Sequence, residues 1–172
     1  MQRRAVSLVE VVVALILLGI VAALTLPHFG QAASGPDEGL VLREDLQILR
    51  VALERYYQDH RAYPGQHGDG SSAGGTAVAV VAQLTQFTNE AGQVVAARDE
   101  THRFGPYLRD GVPPCPVAPR LGRRGVHLIT GPVPPAFAAE AADAGWIYNC
   151  ETGQIAPNSN AKDEAGRAYE LY

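Results

Sequence analysis

A single apolar run near the amino end constrains this chain more than anything else in it. Residues 6–26 contain only Ser7, Glu10 and Thr25 as polar side chains, and Pro27 closes the run. A helix of that length reaches roughly 31 Å, close to the hydrocarbon thickness of a bilayer. Arg3 and Arg4 precede it, and no Lys or Arg follows until Arg43. That bias predicts a cytoplasmic amino end and a carboxyl portion on the far side of the membrane. An ordinary secretory signal has a shorter apolar core and a small-residue cleavage site, for which Ala22-Ala23 and Ala32-Ala33 are the candidates. A plain anchor fits the length but gives Glu10 no role, and an ionisable residue inside a span points to function.

Around Glu10 the order of residue types is specific. Arg3-Arg4-Ala5 is followed by Val6-Ser7-Leu8-Val9-Glu10, which resembles the type III signal of type IV pilins and pseudopilins. The resemblance implies cleavage by a prepilin peptidase between Ala5 and Val6, N-methylation of Val6, and a helix kink at Pro27. The chain departs from the family pattern at Ala5, where Gly is usual, and at Val6, where Phe is usual. Glu10 carries two readings. Ser7 and Glu10 form a capping box at the helix start. In an assembled filament, the carboxylate would instead meet the new amino group of a neighbouring subunit, a pairing that low dielectric strengthens.

With leader and span set aside, about 140 residues remain, enough for one domain. The formal charge of −4 includes Arg3 and Arg4, so loss of the leader makes the chain more acidic. No nucleic-acid partner is therefore expected. Gly30, Gly35, Pro36 and Gly39 predict a bend or break over residues 28–39, with Ser34 able to cap a restart. Over residues 40–62, Leu42, Leu46, Leu49, Leu53, Tyr56 and His60 recur at steps of four and three, which predicts an amphipathic helix. Tyr63-Pro64 marks its stop. This spacing, and the turn Asp59-His60-Arg61-Ala62-Tyr63-Pro64, resemble the major pseudopilin of type II secretion; His60 reads as a surface residue of that turn.

Residues 65–75 read as a glycine-rich loop; Gly70-Ser71-Ser72 fits neither a phosphate loop nor a nucleophile elbow. A short helix is expected over residues 76–88, capped by Thr76, then a polar stretch around Val94-Val95. The turn-rich 104–116 segment resembles the pseudopilin connector into the sheet. The carboxyl third reads as β: residues 126–130, then 145–149 and 154–157 as a hairpin turning at Gly153. Pro157 belongs on an edge. Residues 132–144 look like an insertion. Tyr169, Leu171 and Tyr172 could dock the end of the chain.

Cys115 and Cys150 lie in the portion expected outside the cytoplasm, where they can close a disulfide or remain as separately buried thiols. The major pseudopilin binds calcium in a carboxyl-terminal loop, so the resemblance makes Asn158, Asn160 and Asp163, beside Glu164, the candidates for that metal. Lys162 among them favours a solvated polar loop instead. No other cofactor is expected, and no catalytic grouping emerges from the spacing.

The resemblance is strongest over residues 3–64. It implies an α+β pilin-like fold: a long amino-terminal helix, its residues 6–27 in the membrane, and a small antiparallel sheet in a periplasmic head, residues 63–172. The implied role is a structural, non-enzymatic subunit of a type II secretion pseudopilus in the inner membrane. Its partners would be other pseudopilins, the prepilin peptidase and the inner-membrane assembly platform. The alternatives are a type IV pilus or DNA-uptake subunit, and a membrane-tethered binding or enzymatic domain.

Overall fold

A computed structural model describes residues 37–130 and 137–172. They form one compact α+β unit starting at Glu38. Its spine is α1, Glu38–His60, which buries Leu42, Leu46, Leu49, Ala52, Leu53 and Tyr56 along one face. The leucine spacing produces that face directly, since residues three and four apart stack on the same side of a helix. α1 stops two residues before the end expected from Tyr63-Pro64. Arg61 takes a left-handed conformation (φ 55°), and its N–H still bonds Tyr57 O at 2.8 Å. That is a helix-ending geometry more often filled by Gly.

α2, Ala77–Thr85, begins as the sequence suggests. Thr76 is extended, and its hydroxyl accepts the Ala79 N–H at 3.3 Å. The helix ends three residues short of the expected 88. Phe87–Thr88 forms β1, paired antiparallel with β2, Val94–Val95. A short apolar run does not reveal its period, and here both residues find strand partners across a turn. Asn89 Oδ1 organises that turn by accepting the Ala91 and Gln93 N–H groups, each at 3.0 Å.

The main sheet is β3 (Gly125–Leu128), β4 (Ala144–Tyr148) and β5 (Ile155–Pro157), in that order across the sheet. β4 and β5 form the expected antiparallel hairpin. Gly153, at φ 72°, packs so close to Tyr63 that a Cβ would lie 2.3 Å from the ring. Pro157 sits on edge strand β5, where its missing N–H costs no ladder bond. The expectation of a wholly antiparallel sheet is corrected: β3 runs parallel to β4. Fifteen residues separate Leu128 from Ala144, room for the crossover that parallel pairing requires.

The core lies between α1 and β4. Trp146 and Tyr148 are fully buried in one cluster with the α1 leucines, Val80 and Leu84 of α2, and Val117. Trp146 Nε1 donates to Pro113 O at 2.8 Å and the Tyr148 hydroxyl to Pro64 O at 3.2 Å. Two buried amides then tie the connecting loops down. Gln83 accepts the Gly65 N–H at 2.7 Å and donates to Gly92 O at 3.0 Å. Asn158 accepts the Ala138 N–H and donates to the carbonyls of Ala138, Ala141 and Ala144, at 2.9 to 3.2 Å.

Candidate functional site

The residues that the sequence marks for processing and assembly, Ala5, Val6, Glu10 and Pro27, lie outside the described residues. Among the described residues, no helix is long and apolar enough to cross a membrane. What the structure places is the head that would follow such a segment, and three of its features bear on function.

The first is the outward face of α1. Leu40, Ile48 and Val51 stay exposed, opposite the leucines that face the core. Glu44 and Arg55 lie on the same outward side of the helix by its periodicity and are exposed. This side is apolar at three points and flanked by charges of both signs, a surface suited to a neighbouring helix or head.

A second feature is a groove of about 650 Å³ between α2, β3 and residues 140–144. Val78, Val81 and Thr85 form one wall, and Val126 and His127 another. His127 Nε2 lies 3.8 Å from Glu140 Oε1. The sequence does not reveal it, because residues 140–144 read as part of an insertion and no local motif ties them to α2.

The third is the aromatic cluster at the end of α1. His60 is half-buried, not on the surface as the turn pattern suggested. Its ring lies against Tyr56 at 4.1 Å and Phe104 at 5.2 Å. Nε2 is within hydrogen-bonding distance of the Thr88 hydroxyl (3.0 Å) and the Tyr107 hydroxyl (3.2 Å). The Tyr107 hydroxyl also donates to Asp59 at 2.8 Å. Burial lowers the His60 pKa, outweighing the Glu90 carbonyl and Asp59, which favour the charged ring. The step-four-and-three spacing had already put His60 on the buried stripe; the turn resemblance was the poorer guide.

Cys115 and Cys150 are both buried and free, so the disulfide is not made in this structure. Cys115 packs beside Gly145 at the start of β4, while Cys150 lies past its end, beside Gly65. Five residues of largely extended chain separate those points, roughly 16 Å, far beyond the reach of a disulfide. Burial raises both thiol pKa values, which keeps them protonated and unreactive.

The calcium candidates do not converge. Asn158 is wholly buried, its amide already committed to the backbone of residues 138–144. Asn160 is exposed. Asp163 accepts the Arg167 N–H at 2.8 Å and the Tyr172 hydroxyl at 2.6 Å, and these bonds lower its pKa. Among the described residues, no three His, Cys, Asp or Glu side chains gather as a metal site. The donor set does not suit a cation that takes six to eight oxygens.

Fold and surface together define a small α+β unit built on one face of an amphipathic helix. The chain is 41% identical over 69 residues to the type II secretion system core protein G of Pseudomonas aeruginosa. The match covers 37% of this chain and 46% of that protein, so the chain spans about half the length of the relative it matches. It supports a pseudopilin-like relationship at the level of the family. No family model matches the chain, and no solved structure does.

Proposed function

We propose that this chain is a pilin-like structural subunit of a type II secretion pseudopilus. The observation that carries the reading is the 41% identity to a type II secretion core protein G. The type III signal at residues 3–10 and the amphipathic α1 packed on a small sheet agree with it. In this reading a prepilin peptidase cuts after Ala5 and the new Val6 amine is methylated. The mature subunit waits in the inner membrane with its head in the periplasm, then stacks on other pseudopilins. Glu10 fixes the stagger by pairing with a neighbour's amino group, and Pro27 bends the helix. The exposed side of α1 at Leu40, Ile48 and Val51 adds apolar contact once subunits stack. The subunit is non-enzymatic: extraction and stacking of helices drives secreted proteins outward.

Amino-terminal sequencing and intact mass of protein from its native membrane test the proposal first. A chain beginning at Val6, with or without one methyl, is expected. A chain still beginning at Met1 would overturn processing and favour a tethered domain, and a cut beyond Ala22 would make it an ordinary secreted protein. Glu10→Gln is then expected to leave membrane insertion intact and abolish filaments seen by shear or cross-linking.

A further inference from the structure

The carboxyl-terminal segment is closed by a cluster that the functional reading does not use. Residues 161–172 fold back on themselves through an isolated bridge between Lys162 and Ala168 and a bond from Tyr169 N to Ala161 O at 3.1 Å. They are then fastened to α1 by Tyr172. Its hydroxyl donates to Asp163 at 2.6 Å and accepts from the Arg43 guanidinium at 3.2 Å. Its carbonyl accepts from Arg50 at 2.8 Å. Arg43 and Arg167 lie over its ring, 4.6 and 4.8 Å from the centroid. Arg167 also donates to Leu171 O at 2.6 Å. Arg43 and Arg50 are two helical turns apart, so α1 presents both to one residue, Arg43 to its side chain and Arg50 to its carbonyl.

We propose that Tyr172 is the latch that closes this segment on α1, doing with three arginines and Asp163 what a divalent cation would do in a loop of bare carboxylates and carbonyls. The cluster already holds its positive charge. The single carboxylate in contact, Asp163, has one oxygen taken by a backbone N–H and the other by the tyrosine hydroxyl. A cation arriving there would meet Arg43 and Arg167, and would have to displace the hydroxyl to gain one ligand. Calcium needs several oxygens converging at about 2.3–2.6 Å, and the side chain of Asn158 is turned inward. Closure therefore depends on hydrogen bonds and cation–π contacts made to one phenol, and is indifferent to calcium.

The test uses full-length protein in detergent micelles and does not depend on filament formation, so it stands or falls apart from the secretion reading. Thermal unfolding is expected to be the same in millimolar calcium and in EGTA. Hydrogen exchange is expected to quicken about tenfold at residues 161–171 in Tyr172→Phe, as for loss of one charge-assisted bond, with the middle of α1 unchanged. Asp163→Asn, which weakens the same bond from the other side, should reproduce that pattern. A melting point that rises with calcium or falls with EGTA would overturn the proposal. So would Tyr172→Phe protein whose exchange at 161–171 is unaltered, or an Asp163→Asn pattern confined to other residues.

Discussion

α1 and the loops around the sheet are held by opposite kinds of interaction. α1 is held by apolar spacing: four leucines and Tyr56, with Ala52 between them, on one face. The loops are held by single buried polar groups with several backbone partners each, chiefly Gln83 and Asn158. A greasy stripe sets which face turns inward but tolerates small shifts along it. An amide with four partners tolerates less, because a broken bond such as that from the Ala138 N–H leaves a buried donor without water. If the chain stacks by its helix as proposed, it gains from this division, since the helix can adjust while the rest of the fold keeps its shape.

The division breaks hardest at Asn158. Asn158→Leu keeps the branched shape but removes the partner of the Ala138 N–H and the amide bonds to the carbonyls of Ala138, Ala141 and Ala144, of which the first two keep backbone N–H partners; the cost is about 1–3 kcal/mol for each group that finds no water. The expected outcome is a head that no longer unfolds cooperatively, read by urea denaturation of the full chain in micelles. Leu49→Ala is expected to cost less, about 3 kcal/mol for a fully buried leucine, with cooperativity retained. Equal losses in the two variants would sink the distinction. Thr76→Ala removes a helix cap from α2 and should cost about 1 kcal/mol, smaller than either.

Sequence legibility follows the same line. Period three-and-four over Leu42 to Tyr56, the Thr76 cap and the glycine turn at Gly153 are local signals, and each appears where it was read. β3 pairing parallel to β4 is not local; nothing in Val126-His127-Leu128 states the direction of its partner. Phe87–Thr88 reads as the tail of a helix because two residues carry no period. Asn158 reads in sequence as part of a solvated polar loop, since an amide that bonds four backbone groups looks there like one that bonds water. Cys115 and Cys150 could be counted but not located, and only the length of β4 separates them. For the candidate assembly residues at the amino end, sequence and resemblance are the whole argument.

His60 offers the smallest test and the sharpest about where the two regions meet. It belongs to α1, yet its ring is packed among Tyr56, Phe104 and Tyr107, and its Nε2 faces hydroxyls of the loop side. Its folded pKa lies below the unfolded value of about 6.5. The unfolded chain therefore takes up this proton first as pH falls. Stability from His60 is complete above about pH 6.5 and declines from there until the folded ring also titrates. Asp99 and Asp163, whose pKa values are lowered by hydrogen bonds, act in the same direction but below pH 4, outside that window. The denaturation midpoint is thus expected to drop modestly between pH 7.5 and 5.5 in the native chain. His60→Phe, which keeps an aromatic ring and removes the proton, should flatten that slope at some cost in stability at neutral pH from the lost Thr88 and Tyr107 contacts. A slope unchanged by the substitution would mean that the ring is solvated when charged, and that helix and loop are coupled there by packing alone.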